Sequence, residues 1–246
     1  MRTVAIVQAR MGSTRLPGKV LRPLGGDTVL GQCIRRLRQA SAIQHVVIAT
    51  TTNSEDDVIV DTCRAMGVQV HRGSPDDVLD RYVGAARVSN ADAVVRVTSD
   101  CPLIDAGVID RVVGLLDGSR DYVSNTHDVQ TFPRGLDVEA FHRDTLERMG
   151  RMATSKAARE HVTVFVREQP ALFRTAQLID DANNSDLRWT VDTDADLDLV
   201  TQMYSRFELA TKTVDYRDLV RAVRAAPSLT QINAHIPQKD WRTHAG

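Results

Sequence analysis

Residues 4–19, VAIVQARMGSTRLPGK, join a short apolar run to a basic, glycine-containing loop. The apolar start has the length and the β-branched content of a buried strand. The loop behind it carries permanent positive charges at Arg10, Arg15 and Lys19. The small residues between these cations are Gly12, Ser13, Thr14 and Gly18. Cations and flexible backbone in one loop suit a polyphosphate ligand.

The spacing of this loop differs from both familiar phosphate-binding motifs. It has no glycine followed after four residues by Gly-Lys-Ser/Thr, and no Gly-x-Gly-x-x-Gly that leads into a helix. An alternative interpretation is that the cations simply solvate a surface loop. Composition alone leaves both interpretations open.

Length and charge narrow the class of protein. The chain has 246 residues, long enough for one large α/β domain, and a net charge of −1, so no global field attracts nucleic acid or an anionic membrane. No apolar stretch approaches the length of a membrane span, and we expect a cytoplasmic protein without a membrane partner. The three cysteines form no close pair, which favours free thiols.

Short apolar runs alternate with segments of helical period, which is typical of a mainly parallel α/β sheet. Strands are predicted at 4–7, 46–49, 69–71, 93–97, 136–141 and 187–191. Helices are predicted at 29–37, at 54–66 with Ser54 as N-cap and acidic residues 55–57 in its first turn, at 194–206 and at 215–226, and one helix opens at Ser74 with Pro75 in its first position. The cations Arg35, Arg36 and Arg38 are expected mostly outside. We expect a single domain, 1–246, with 120–180 as an excursion from the main sheet.

Two aspartates follow predicted strands. Asp100 comes after the strand at 93–97, where open α/β sheets form their ligand crevice, although a lone aspartate there is also a common turn former or helix cap. Asp192 ends the strand predicted at 187–191. The acidic residues after it lack the central glycine and distal glutamate of a calcium loop, so Asp194 is interpreted as helix N-terminal charge. Asp105 is interpreted as a helix N-cap.

The motifs together resemble the nucleotide-sugar cytidylyltransferases, and most closely the spore-coat polysaccharide biosynthesis F type. The likeness rests on Gln-Ala-Arg at 8–10, Ser-x-Arg-Leu-Pro-Gly-Lys at 13–19, Arg-x-Thr-x-Asp-Cys-Pro-Leu-Ile at 96–104, and Val-Asp-Thr at 191–193. This resemblance implies a three-layer Rossmann-like, GT-A-like nucleotidyltransferase fold with a mostly parallel mixed sheet.

The resemblance also implies roles for individual residues. The triphosphate would be held by Gln8, Ala9, Arg10, Gly12, Ser13, Arg15 and Lys19, with Arg72 and Ser74 as further nucleotide contacts. Asp100 and Asp192 would bind Mg²⁺ and act with Arg10, Arg15 and Lys19 in catalysis. Two carboxylates with phosphate oxygens and water are a set that Mg²⁺ accepts.

The acceptor side is expected in the region 120–180. Our candidates there are Arg134, Asp137, Glu160 and His161, although a single histidine in a helical stretch is often a packed structural residue. In related synthetases this region also builds a dimer, so the resemblance implies a homodimer.

The function implied is transfer of CMP from CTP to an acidic sugar, a nonulosonic or 3-deoxy-2-keto sugar acid, with release of pyrophosphate. Three alternatives stay open at this point. They are nucleotidyl transfer to a phosphonate or sugar phosphate, a glycosyltransferase that uses a finished nucleotide sugar, and a catalytically silent partner in polysaccharide assembly.

Overall fold

The computed structural model describes residues 1–238, and regular structure is spread over most of that length. The strands are β1 (Thr3–Gln8), β2 (Pro23–Leu24), β3 (Asp27–Thr28), β4 (His45–Thr51), β5 (Gln69–Gly73), β6 (Ala93–Thr98), β7 (Tyr122–Ser124), β8 (Glu139–His142) and β9 (Thr175–Gln177). The α-helices are α1 (Val29–Leu37), α2 (Asp57–Ala65), α3 (Val78–Val88), α4 (Ala106–Val113), α5 (Arg143–Met152), α6 (Lys156–His161), α7 (Val164–Glu168), α8 (Asp194–Arg206), α9 (Tyr216–Arg224) and α10 (Pro227–Gln231). Short 3-10 turns lie at Lys19–Leu21, Ser54–Asp56 and Pro170–Leu172.

One mixed sheet of seven strands, in the order β5-β4-β1-β6-β8-β7-β9, forms the centre of the molecule. Strands β5, β4, β1 and β6 run parallel to one another. Strand β8 is antiparallel to its neighbours β6 and β7, and β9 is parallel to β7. The mostly parallel mixed sheet expected from the sequence is therefore confirmed.

Helices cover both faces of the sheet because its strands alternate apolar side chains between two cores. In β1, Ala5 and Val7 belong to one core and Val4 and Ile6 to the other. Helices α1, α2, α4, α8, α9 and α10 complete the first core, and α3, α5, α6 and α7 complete the second. This three-layer arrangement confirms the predicted fold class.

Several local predictions need correction. Arg36 is 4% exposed rather than outside, because its guanidinium packs over the Tyr204 ring and its Nε donates to the tyrosine hydroxyl at 3.3 Å. Ser54 lies inside a 3-10 turn instead of capping α2. Pro75 precedes α3 and is not its first residue. The helix begins at Val78 because the carboxylate of Asp77, its N-cap residue, accepts a hydrogen bond from the backbone N–H of Asp80.

The region 120–180 contributes β7, β8 and β9 to the main sheet, whereas the sequence suggested that it leaves the sheet. The strand predicted at 136–141 is shorter and begins at Glu139. The strand predicted at 187–191 is absent; a single bridge joins Arg188 to Arg134 there. No helix within residues 1–238 has both the length and the apolar character needed to cross a bilayer.

Candidate active site

A cavity of about 480 Å³ opens beside the carboxyl ends of β1 and β6, where open α/β sheets bind their ligands. The predicted site residues that line it are Gln8, Ala9, Arg10, Gly12, Ser13, Arg15, Lys19, Asp100, Glu160, His161 and Asp192. We call this space the main cavity. It brings together the basic loop, both aspartates and two of the predicted acceptor residues.

The basic loop, residues 9–19, is tied down by a buried carboxylate. The backbone N–H of Met11 donates to Asp56 Oδ1 at 2.7 Å, and the same carboxylate accepts from the backbone N–H and the hydroxyl of Thr51. Asp56 is fully buried, so its role is to anchor the loop rather than to supply the helix N-terminal charge that the sequence suggested. Fixing the loop at Met11 holds its cations beside the main cavity.

Lys19 joins the two predicted metal-binding aspartates. Its Nζ lies 2.7 Å from Asp100 Oδ2 and 2.7 Å from Asp192 Oδ1. Arg15 adds a second cation, with its guanidinium 2.9 Å from the other oxygen of Asp192. The two carboxylates therefore converge on one point of the cavity wall, and cations of the basic loop neutralise them there.

Backbone contacts bring Asp192 to Asp100. The N–H of Val191 donates to the carbonyl of Asp100 at 2.8 Å, and the Thr190 hydroxyl reaches the same carbonyl at 3.2 Å. On its other side, the segment exchanges backbone hydrogen bonds with Arg134, whose N–H donates to Leu187 and whose carbonyl accepts from Trp189.

Gly135 permits the backbone beside Arg134 to approach residues 187–190 closely. It has a φ of +102°, and a Cβ at this position would lie 2.7 Å from backbone atoms of Trp189 and Thr190. The segment before Asp192 is therefore held by a few specific backbone contacts in place of the regular strand that its apolar pattern predicted.

A buried network supports Asp192 from beneath. The guanidinium of Arg188 donates to Asp192 at 2.7 Å and to Asp196 at 2.9 Å. Asp196 is fully buried, completes a capping box with Thr193 at the start of α8, and accepts a further hydrogen bond from the Asn233 side chain. Arg188 thus ties the metal-site candidate to a rigid helix start.

The charges at this centre support one another. Burial raises the pKa of Asp192, but the charge of Lys19, hydrogen bonds and the charge of Arg15 outweigh it and hold that pKa below its ordinary value. Burial lowers the pKa of Lys19, and the two aspartates more than offset this, so its pKa is raised. Lys19 and Asp192 are therefore both charged at neutral pH.

A second cavity, of about 220 Å³, adjoins the main one and shares Thr98 and His161 with it. Asp137 lines this second cavity, so the structure brings two of the predicted acceptor residues to it. The guanidinium of Arg167 also lines it and donates to the backbone carbonyl of Thr126 at 2.5 Å.

The wall of the second cavity contains a buried ion pair. Glu139 contacts the guanidinium of Arg96 and accepts from the hydroxyls of Tyr122 and Thr163, both at 2.6 Å. Burial raises the pKa of Glu139, but Arg96 and the two hydroxyl donors together hold it below its ordinary value. This carboxylate is committed to its protein partners.

Three predicted site residues lie outside both cavities. Arg72 donates to the backbone carbonyls of Thr51 and Asn53 at 2.9 Å. The Ser74 hydroxyl accepts from a backbone N–H at the turn before α3. Arg134 contributes its backbone to the contact with residues 187–189. These positions give all three a structural role in the segments that surround the site.

A family model described as cytidylyltransferase matches residues 4–224. The chain belongs to the cytidylyltransferase family. The spore coat polysaccharide biosynthesis protein SpsF of Bacillus subtilis is 34% identical over 210 residues, which cover 82% of this chain and 85% of SpsF. The resemblance drawn from the motifs is therefore confirmed.

Solved structures agree with this membership. A cytidylyltransferase from Leptospira borgpetersenii is 35% identical, with a TM-score of 0.88 over 94% of this chain and 97% of its own. A CMP:2-keto-3-deoxy-manno-octonic acid synthetase complexed with CTP has a TM-score of 0.64 at 18% identity, over 84% of this chain and 100% of its own. At that identity the likeness is one of fold.

Sequence reasoning missed several residues of this candidate site. Those that line a cavity are Arg81, Lys156 and Arg167, and those that support the site are Asp56 and Arg188. Arg188 stands four positions before Asp192, but a strand at 187–191 would separate the two side chains by about 13 Å, so the predicted element gave no signal of their contact. The others occupy helical stretches whose pattern has a sufficient explanation in packing and capping.

Proposed function

We propose that this chain transfers CMP from CTP to an acidic sugar, a nonulosonic or 3-deoxy-2-keto sugar acid, and releases pyrophosphate. The observation that carries the proposal is the contact of Lys19 Nζ with both Asp100 and Asp192, at 2.7 Å each, on the wall of a cavity large enough for a nucleotide. Nucleotidyl transfer needs this combination of loop cations and paired carboxylates around a triphosphate.

The donor set fits a divalent cation such as Mg²⁺. Asp100 and Asp192 converge on one cationic point, and both offer the hard oxygen ligands that Mg²⁺ prefers. Within residues 1–238 no larger cluster of His, Cys, Asp or Glu is arranged to hold a metal, so the protein would supply two carboxylates beside phosphate oxygens and water. When bound, the ion would neutralise phosphate charge and lower the pKa of the attacking hydroxyl.

The chain's own residues bind and orient the nucleotide in this proposal. Lys19 and Arg15 neutralise the aspartates when no triphosphate is present, and their positions also let them neutralise phosphate oxygens. Arg10 lines the same cavity and forms no ion pair with any residue from 1 to 238, so its charge is available to a ligand. Arg188 keeps Asp192 in place while these cations exchange partners.

The second cavity contains a cation suited to the carboxylate of an acidic acceptor. Arg96 is committed to Glu139, whereas Arg167 has a neutral carbonyl as partner and no carboxylate within ion-pair distance in the described part of the chain. We assign Arg167 to the acceptor's carboxylate. His161 lies between the two cavities, where an acceptor hydroxyl would have to pass to reach the α-phosphate.

Pyrophosphate release tests the proposal. Purified protein is assayed with each of CTP, UTP, ATP and GTP against acidic sugars, sugar phosphates and phosphonates, with Mg²⁺ present. We expect release with CTP and an acidic sugar, and none after Asp100→Ala or Asp192→Ala. Release that requires a phosphonate or sugar phosphate would reassign the acceptor, and wild-type rates from either aspartate variant would end the metal assignment.

Arg167→Gln tests the acceptor assignment. It should raise the KM for the acidic sugar at least about tenfold, since a charge-assisted hydrogen bond contributes about 1.5–3 kcal/mol, and leave the Kd for CTP unchanged. Arg174→Gln is the matched control, because Arg174 is 62% exposed and pairs with Asp121 at the surface. An equal effect of both variants would remove Arg167 from the acceptor site.

The homodimer implied by the family resemblance stays a prediction. We propose that region 120–180 forms the contact and that a second subunit completes the acceptor side. Sedimentation equilibrium gives the test: a monomer at assay concentrations with full activity would contradict it.

A further inference from the structure

Arg81 is a buried cation in the wall of the main cavity. It lies on α3, is 2% exposed, and lines the cavity beside the basic loop. Its Nη1 donates to the backbone carbonyl of Ser74 at 2.8 Å, while its Nε is buried without a hydrogen-bond partner among the described residues. The guanidinium therefore has donor capacity that the protein leaves unused.

No carboxylate of residues 1–238 forms an ion pair with Arg81. The two carboxylates whose charge acts on it, Asp56 and Asp77, have other partners. Asp56 holds the basic loop, and Asp77 contacts the guanidinium of Arg159. Arg10 is the cation whose charge acts most strongly on Arg81, and it too is without an ion pair in this part of the chain.

Two unpaired like charges at one cavity wall are costly unless an anion joins them. Burial lowers the pKa of Arg81 below its ordinary value, and the charge of Arg10 lowers it further. A bound anion would offset both effects, because it would form the ion pair that no carboxylate of residues 1–238 forms with Arg81. The arrangement is thus one that ligand binding stabilises.

We propose that Arg81, together with Arg10, forms a second phosphate-binding group of the main cavity, distinct from the Lys19 and Arg15 pair that contacts Asp192. The inference rests on the proposed function, since the phosphate would belong to the nucleoside triphosphate. It assigns a ligand contact to the helix that follows β5, next to the segment in which the sequence analysis named only Arg72 and Ser74 as nucleotide contacts.

A structural role for Arg81 is the competing explanation. The turn at 73–75 is packed around this side chain: a Cβ on Gly73 would lie 2.8 Å from Arg81 Cγ, and the carbonyl of Ser74 accepts from its guanidinium. A side chain that only held this turn would change stability when replaced and would not change how affinity depends on phosphate number.

Isothermal titration with cytidine, CMP, CDP and CTP separates the two roles. The variants are Arg81→Met, which keeps much of the stem but removes the charge, Arg81→Lys, and the control Arg87→Met on the same helix. Arg87 is 63% exposed and pairs with Glu147 away from the main cavity, so its loss changes net charge equally.

In wild-type protein and Arg87→Met, we expect affinity to rise along the series. In Arg81→Met, the increase in affinity on adding one of the phosphates should be about 10- to 100-fold smaller than in wild type, while the affinity for cytidine is unchanged. The affinities of Arg81→Lys should lie between those of wild type and Arg81→Met. An equal loss for cytidine and CTP would assign Arg81 to the nucleoside, and unchanged affinities along the whole series in folded Arg81→Met would assign it to the turn. Either result overturns the proposal.

Inorganic tripolyphosphate keeps this test separate from the proposed function. If wild-type protein fails to bind CTP, the cytidylyl-transfer proposal fails. Tripolyphosphate binding that is weakened by Arg81→Met and unaffected by Arg87→Met would still support the phosphate-binding group, whereas no difference between those variants would refute it.

Discussion

Arg188 links Asp192 of the candidate active site to the buried Asp196, and replacing Arg188 should show how much this link contributes to stability. Arg188 is 7% exposed and Asp196 is 0% exposed. Removing one partner of a buried ion pair typically costs about 3–5 kcal/mol. Asp196 would keep the Asn233 amide and two backbone N–H donors, so we take the lower end, about 3 kcal/mol, for Arg188→Met. For a chain of this length that lowers the Tm by about 6–12 °C.

Thermal unfolding followed by circular dichroism and calorimetry measures this loss. The matched control is Arg224→Met, because Arg224 pairs with Asp186 at the surface, where an ion pair contributes about 0–1 kcal/mol. In a double-mutant cycle with Asp196→Asn, the two losses should be strongly non-additive. If Arg188→Met melts as close to wild type as Arg224→Met does, the buried network does not support the site in the way described.

Three further changes probe separate parts of the molecule. Lys19→Met should weaken CTP binding about 10- to 100-fold, measured by titration, because a cation that binds the triphosphate is lost. It should tighten the binding of Mn²⁺ alone, measured by electron paramagnetic resonance, because the ammonium no longer lies between the two aspartates. Unchanged CTP affinity would contradict this role of Lys19. The pKa of Glu139 is lower in the folded protein than its ordinary value of 4.5, so the carboxylate stabilises the fold above pH 4.5 and this stabilisation is lost as pH falls through the folded pKa. In urea titrations, the difference in free energy of unfolding between wild type and Glu139→Gln should therefore shrink below pH 4.5. A difference that does not change with pH would refute the role of Arg96. Asp56→Ala should cost about 2 kcal/mol, since the N–H of Met11 loses its buried acceptor, and should weaken CTP binding; a change in stability without one in affinity would disprove the anchoring of the loop.

Local patterns made the central part of the fold predictable. Strands at 4–7, 46–49 and 93–97 lie within β1, β4 and β6, because each is a short apolar run buried on both faces, and the strand at 69–71 lies within the partly buried edge strand β5. Asp105 caps α4 as expected, with its carboxylate accepting from Val108 N–H at 2.9 Å. Capping and apolar periodicity are properties of neighbouring residues, so one sequence suffices to read them.

Features that depend on distant partners were not predictable in this way. Strand β8 joins the sheet by antiparallel pairing with β6, whose sequence carries no sign of that neighbour. The apolar segment at 187–191 has a strand-like pattern, but its backbone partners are single residues on either side. Arg36 is buried because Tyr204, from the other half of the chain, lies against it.

The residues of the candidate site also differ in whether local sequence identifies them. The basic loop and the aspartates were identified because their motifs resemble a known family. Arg81 and Arg167 were not, because an arginine on a helix has the same local pattern whether it faces solvent or a ligand. Burial and the absence of an ion pair within residues 1–238 distinguish Arg81, and both are properties of the folded chain.

The order in which the elements occur has a consequence for biosynthesis. All seven strands of the main sheet are encoded by residue 177, whereas Asp192 and its support at Arg188 follow later. Chains emerge from the ribosome amino terminus first, so every strand of the sheet leaves the ribosome before Asp192, whereas α8, α9 and α10, which cover one face of that sheet, leave it later still. The core on that face and the pair of acidic residues are therefore completed in the same late stage of synthesis, and a chain that ends shortly after β9 should have neither.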